Sequence, residues 1–373
     1  MAASPASVLG AAAKVGRGER GRVTLHTGLP AAPEVWVEEN EWGLIVELEP
    51  KPWEVVVELQ APRAAPYSPA WILVLGLRRG GWEARAYVAV LPLGRGSGRV
   101  TVREALRDDR SYAVGAPSAV KAGAYYYLAY RWRNGDEARG QWLELARSRD
   151  GLRGWEVVAN FDKSKYGYLS FEQPCIVKGS SDFLYCADTG RGWGIYLVKA
   201  GEPEDIELPG EPVIINAKDP AALYEEGRYV VAYSDLNNPG HDLTIVETKD
   251  FGEFGVLAKS LVRSQLAAQG NTWAVTHIHA GALVKAGSYY LLFYDALPRE
   301  PRCFGSGWMG MALSRDLRRW IDLTPKSPLW RGGGIDLTFR YVDVVVEEGN
   351  YLLYAEEETT KAGRKDLVAY YAI

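Results

Sequence analysis

A unit of about 50 residues recurs five times in the C-terminal two-thirds of the chain, and a repeat of that length restricts the fold more than any other feature. The clearest copy reads Ser170-Phe171-Glu172-Gln173-Pro174-Cys175-Ile176-Val177-Lys178, then a polar turn, then Phe183-Leu184-Tyr185-Cys186-Ala187-Asp188. It places a carboxylate ahead of a proline and an apolar strand, and answers it with a second strand. The other copies open at Gly115-Ala116-Pro117, Lys218-Asp219-Pro220, His279-Ala280-Gly281 and Arg340-Tyr341-Val342-Asp343. A third strand and a polar turn follow the hairpins, as in the runs ahead of Trp155 and Trp320. Four short strands per unit make a propeller blade. One blade alone leaves two open edges and half-covered faces, which only a closed ring removes. The expected fold is therefore all-β, a five-bladed β-propeller over residues 99–373. The fifth copy ends after three strands. The run at residues 99–105 is free to complete it and to lock the ring.

Before the repeat, residues 22–98 alternate as strands do, with candidates at 34–37, 43–48, 53–59, 71–77 and 84–91. The Arg79-Gly80-Gly81 turn should join the last two. No chemical constellation appears there. The region reads as a small all-β accessory unit with a structural role, carbohydrate binding being the alternative. Residues 1–21 begin with an Ala-rich run without a charged start or a long apolar centre, so a flexible N-terminus and a cytoplasmic location are expected.

Hydrophobic content of 47% and a net charge of −4, with no long basic run, exclude a nucleic-acid binder. No apolar stretch approaches 18 residues, so no membrane span is expected. The chain has 22 Tyr and 13 Trp against 8 Phe. Such rings suit sugar-binding clefts, although strands also favour them and should use most of them. Three cysteines are too few for a disulfide framework. Cys175 and Cys186 face each other if their hairpin turns at Ser180-Ser181; two small buried thiols are expected rather than a disulfide. Cys303 lies in a loop with no activating neighbour.

In a blade, residues that open strand one and residues that close strand two share one mouth of the ring. The first set holds Glu172, Asp219, His277, His279, Arg340, Tyr341 and Asp343. The second holds Arg131, Asp188, Asp235, Asp295 and Glu356. Carboxylates converging on a narrow opening should raise one another's pKa. Some of the second set should instead cap turns or pair with arginine.

Glu-x-Pro at Glu172–Pro174 and Asp-Pro at Asp219-Pro220, each opening a strand followed by a Tyr-rich one, resemble the five-bladed propeller glycosidases of glycoside hydrolase families 43, 32 and 130. The resemblance covers roughly residues 111–373. It implies a carbohydrate substrate and paired-carboxylate chemistry, with Glu172 as general acid and Asp219 as a second active carboxylate. This chain departs from the pattern in two respects. Ala116 stands where the first blade should carry an aspartate, and the carboxylates run Glu then Asp. Asp343, or Asp295, is the candidate third acid. Two carboxyl groups about 5 Å apart favour retention of configuration, and about 6.5–9.5 Å inversion.

The cationic groups His277, His279, Arg340 and Arg131 could hold an anion at the same mouth, the phosphate of a glycoside phosphorylase or an acidic group of the substrate. A glycoside hydrolase is thus the first reading, with a phosphorylase or a non-catalytic carbohydrate-binding propeller as alternatives. No cofactor is expected. The resemblance to family 43 raises an axial calcium, for which the oxygen-rich run from Asp235 to Asp242 has no defined spacing.

Overall fold

The structure, a computed structural model, describes residues 8–135, 138–298, 307–347 and 349–372. Cys303 lies outside the described residues. Five antiparallel sheets of four strands form the propeller. Blade I contains Tyr112–Ala122, Tyr125–Asn134, Ala138–Ser148 and Glu156–Asp162. Blade II contains Ser170–Ile176, Phe183–Asp188, Trp193–Val198 and Glu211–Ile215. Blade III contains Ala217–Glu225, Arg228–Asp235, Leu243–Thr248 and Gly255–Ala258. Blade IV contains Thr276–Ala286, Tyr289–Leu297, Trp308–Ser314 and Trp320–Asp322. Blade V contributes Phe339–Glu347, Asn350–Glu358 and Lys365–Ala372. The innermost strands touch in cyclic order, and that of blade V returns to that of blade I.

The ring closes through a strand from the far side of the sequence. Gly98–Arg103 runs antiparallel to Lys365–Ala372, with Arg103 opposite Leu367 and Gly98 opposite Tyr371. Just beyond it, the Ala105 amide donates to Asp366 Oδ1 at 2.8 Å. Blade V therefore takes its outer strand from the segment that leads into blade I, so neither end of the propeller can peel away without breaking a ladder.

The aromatic residues go mainly into the blades. Tyr126, Tyr130, Tyr185, Tyr294, Tyr351 and Tyr354 are fully buried on second strands. The hydroxyls of Tyr354 and Tyr185 find partners there: Tyr354 donates to the Gly151 carbonyl at 2.7 Å, and Tyr185 accepts from the Gly210 amide at 3.0 Å. A buried phenol needs such a partner to recover its lost hydration.

The N-terminal region forms two sheets over one core. Strands β1 (Val8–Lys14), β3 (Glu34–Glu39), β6 (Trp71–Arg79) and β7 (Trp82–Leu91) make one; β2 (Arg20–His26), β4 (Ile45–Lys51) and β5 (Glu54–Gln60) make the other. The expected flexible N-terminus is corrected from residue 8 onward. β1 lies parallel to β7, from Val8 opposite Arg85 to Lys14 opposite Leu91. Its small side chains have a packing reason. A Cβ on Gly10 would come within 1.9 Å of the Asp322 carbonyl oxygen of blade IV. The Ala-rich composition is that of a strand pressed between β7 and the propeller. Ile72, Val74, Ala89 and Leu91 share a core with Leu291, Phe293, Met311 and Leu353 of blades IV and V. Each large aliphatic side chain buried in this way contributes ~1.5–3 kcal/mol, so the two units stabilise each other.

The hairpin of blade II corrects one local expectation. Cys175 pairs with Leu184, not Cys186. The turn is offset because the Val177 amide donates to the Asp182 carbonyl. Both cysteines are buried free thiols. No helix of the described residues is long and apolar enough to cross a membrane.

Candidate active site

The innermost strand of every blade is bulged near the same mouth. Register against the second strand slips between Gly115 and Ser118, Phe171 and Pro174, Lys218 and Ala221, Thr276 and His279, and Arg340 and Asp343. Ala116, Asp219, His277 and Tyr341 take φ values of +51°, +53°, +48° and +52° there. A bulge re-aims side chains and ends regular pairing. Here it turns one or two residues of blades II to V toward the axis. They line a cavity of about 270 Å³.

Among the described residues, five cationic side chains, Arg131, Arg133, Arg139, Lys218 and Arg340, line this cavity with two carboxylates, Glu172 and Asp219. His241, His277 and His279 join them, three of the four histidines in the chain. Trp193 and Tyr341 supply the aromatic faces. The overall charge of −4 hides this cationic patch.

Glu172 is 2% exposed and saturated by cations. Its Oε2 lies 2.9 Å from Arg131 Nη1, and its Oε1 lies 2.9 Å from Arg139 Nη2 and 3.9 Å from Lys218 Nζ. Burial alone would raise its pKa, but Arg131, then Lys218 and Arg139, outweigh that and hold it well below the usual carboxylate range. Behind it the alternation continues. Arg131 Nη2 donates to Glu356 Oε2 at 2.9 Å, and Arg340 donates to Glu356 Oε1 from Nε at 2.9 Å and Nη2 at 2.6 Å. Burial works against the charge of Glu356 as well, yet Arg340 and Arg131 bring it to about 2. The expected mutual raising of carboxyl pKa values does not occur on this side, because guanidinium groups stand between the acids. Gly115 makes room for the array: a Cβ there would lie 2.5 Å from Glu356 Cβ.

Asp219 occupies the equivalent station in blade III and has the opposite surroundings. It is fully buried, and among the described residues its Oδ2 has no hydrogen-bond partner. The Cys186 thiol lies 3.8 Å from Oδ1, and His279 Nε2 lies 3.9 Å from Oδ2. His279 is fixed from behind, with Nδ1 2.7 Å from Asp295 Oδ2 and its ring stacked on Tyr341 at 5.1 Å between centroids. Asp295 Oδ1 accepts from the Tyr341 amide at 3.0 Å. His277 and His241 meet edge to face at 5.5 Å. Burial, then the charges of His279, His241 and Lys218, pushes His277 down to about 4. Burial likewise lowers His241.

Of the residues expected at this mouth, Glu172, Asp219, Arg131, His277, His279, Arg340 and Tyr341 line the cavity. Asp295 and Glu356 sit one layer behind, as partners of His279 and of the arginines. Three expectations are corrected. Asp343 is not in the cavity: its Oδ1 pairs with Lys178 Nζ at 2.9 Å and its Oδ2 accepts from the Ala119 amide at 2.7 Å. It lies three residues beyond Arg340, about 10 Å deeper along a strand. Asp188 and Asp235 pair with Ser170 and Ala217, outside the stations of Glu172 and Asp219. Each caps a turn instead. Asp188 accepts from the Gly190 amide, and Asp235 accepts from the Asn237 amide, Asn238 Nδ2 and Thr244 Oγ1.

The residues present do not fit an axial calcium. The oxygens of Asp235 and Asp242 are taken up by these turn contacts and by the amides of Leu243, Val262 and Arg263. Among the described residues, no group of three or more His, Cys, Asp or Glu side chains is placed to hold a metal ion. Sequence reasoning missed Arg133, Arg139, Lys218, Trp193 and His241. The i, i+2 spacing of Arg131 and Arg133 puts both on one strand face, and Lys218 directly precedes Asp219, so these two were within reach. Arg139 enters from the start of a third strand and His241 from a turn, and no periodicity marks either.

No family model matches the chain, and no curated protein matches it. Solved structures do. One described as a glycoside hydrolase superposes with a TM-score of 0.52 at 14% identity, covering 73% of this chain and 91% of that one. The β-1,2-mannobiose phosphorylase of Listeria innocua, in complex with β-1,2-mannobiose, gives 0.50 at 13% identity, covering 73% and 97%. A structure from work on the GH130 family of mannoside phosphorylases, which contains glycoside hydrolases targeting β-1,2-mannosidic linkages in Candida mannan, gives 0.50 at 14%, covering 69% and 84%. The chain has the five-bladed propeller fold of these glycosidases.

Proposed function

We propose that this protein is a carbohydrate-active enzyme that cleaves a glycosidic bond in the cavity at the ring's mouth, with Asp219 as the carboxyl group that handles the proton. One observation carries this reading: Asp219 Oδ2 is buried, faces the cavity and has no protein partner among the described residues. An unpaired buried carboxylate is costly and is characteristic of functional sites. The likeness to hydrolases and to a mannobiose phosphorylase supports a glycan substrate.

The resemblance assigned the acid to Glu172, but its surroundings argue against that role. A group held ionised by two guanidinium groups has no proton to give near neutral pH. Glu172 instead anchors the cationic wall. That wall is the observation favouring a second reading, in which inorganic phosphate replaces water as the attacking group. Arg131, Arg139, Lys218 and Arg340 provide the charge and the donors such an anion needs.

A screen of 4-nitrophenyl glycosides and β-linked mannobioses, each with and without inorganic phosphate, tests both readings. Turnover without phosphate supports hydrolysis. Turnover that requires phosphate and yields a sugar phosphate supports the second. Binding of a glycan from the panel with no cleavage under either condition overturns the enzyme reading and leaves a carbohydrate-binding propeller.

A further inference from the structure

Asp219 and His279 come from neighbouring blades, yet their facing atoms, Oδ2 and Nε2, are 3.9 Å apart. A movement of about 1 Å brings them to hydrogen-bond distance, and catalytic contacts are commonly long before substrate binds. His279 cannot swing away easily. Its Nδ1 is held 2.7 Å from Asp295, and its ring rests on Tyr341. Asp295 is itself fixed by the Tyr341 amide and is 1% exposed. The result is a line of three groups, Asp295–His279–Asp219, whose open end is Asp219 Oδ2, a carboxylate oxygen without a hydrogen-bond partner among the described residues.

We propose that His279 is a positioning residue that supplies the proton of Asp219 and takes it back. This rests on the reading of Asp219 given above and adds to it the source of the proton. The imidazolium form lies between two carboxylates and is stabilised by both. Its Nε2 proton passes to Asp219 Oδ2, and Asp219 protonates the glycosidic oxygen. The bond from that oxygen to the anomeric carbon breaks, and the electron pair stays on the oxygen. Water bonds to the anomeric carbon and releases one proton, which restores the imidazolium. Asp295 accepts the hydrogen bond from Nδ1 throughout, keeps that proton on the ring and so fixes which nitrogen faces Asp219. The other groups around His279 set its environment: Tyr341 beneath the ring, with Lys218, Arg340, His241 and His277 lining the same cavity. All four of the latter carry or can acquire positive charge. They oppose imidazolium formation, so the two carboxylates must supply its stability.

The test combines an equilibrium and a kinetic measurement on the full chain. In ¹⁵N-histidine NMR, His279 should carry its neutral-form proton on Nδ1. Its proton affinity should fall at least about tenfold in Asp219→Asn, or in Asp219→Ala should the first variant not fold. His26, on β2, should not change. An unchanged His279 midpoint in a folded Asp219 variant overturns the proposal. On any glycoside that the wild type turns over, His279→Gln should lower kcat at least about tenfold, leave KM within about twofold and displace one limb of the pH profile. Added imidazole should restore part of the turnover lost in His279→Gly. A raised KM with unchanged kcat makes His279 a substrate contact only and overturns it. If the wild type turns over nothing in the panel, the enzyme reading fails, and the NMR result still decides whether Asp219 and His279 share a proton.

Discussion

Glu172 and Asp219 stand at the same station of adjacent blades, both buried and both on the wall of one cavity, yet their surroundings are opposite. Blade I faces Glu172 with two arginines and blade III adds a lysine, so every oxygen contact is cationic. Blades II and IV face Asp219 with a thiol and a histidine, and one oxygen is left open. A repeat fold can place many carboxylates around one axis. What each can do is then set by the neighbouring blade rather than by its own motif. Glu-x-Pro marks a position, and the arginines of the adjacent blade decide its chemistry.

The largest stability effect should come from the saturated side. Glu172→Gln leaves Arg131 and Arg139 facing an uncharged partner, with Arg131 fully buried. Breaking such a pair should cost ~3–5 kcal/mol, read from the urea midpoint and slope. Asp219→Asn removes no ion pair closer than 3.9 Å and should change stability far less. Equal losses in the two variants would erase the contrast.

Acid should expose the same asymmetry. Glu356 has a folded pKa of about 2 against an ordinary 4.5, and Glu172 is also depressed. A depressed folded pKa gives stability that is complete above the unfolded value and is lost as pH falls through the folded one. His277, lowered to about 4 from 6.5, acts in the same direction in a higher window. The urea midpoint should therefore decline from about pH 6.5 downward and more steeply below about pH 4.5. A midpoint that is constant from pH 6 to pH 3 would contradict the ion-pair array.

The smallest effect separates the cavity from its surroundings. Asp188→Ala removes a turn cap at Gly190 and should cost about 1 kcal/mol or less. Turnover should not change, since Asp188 is outside the cavity. A loss of activity without a loss of stability would return Asp188 to the site.

The ring and its closing strand were legible because they rest on periodicity. Alternating apolar residues and regular turns recur five times, and a three-stranded last copy implies a donor strand. The mouth was legible in part, since Glu172, Asp219, His279 and Arg340 all open innermost strands. Depth was not legible. The bulge at Arg340–Asp343 carries Asp343 away from the cavity, and no residue pattern announces a bulge. Charge state was also hidden, because Arg139 reaches Glu172 across 33 positions of sequence and from another blade. The Ala-rich start misled for a similar reason. Small residues at the end of a chain look like a fraying tail until the surface that requires them, here the Asp322 carbonyl, is in view.

The most direct test of the account is the turnover of Asp219→Asn beside the wild type on a cleaved glycoside, with melting curves recorded on the same samples. The account predicts a loss of kcat of about 10²–10⁴-fold with a nearly superimposable melting curve. A variant that melts like the wild type and cleaves at the wild-type rate would contradict it.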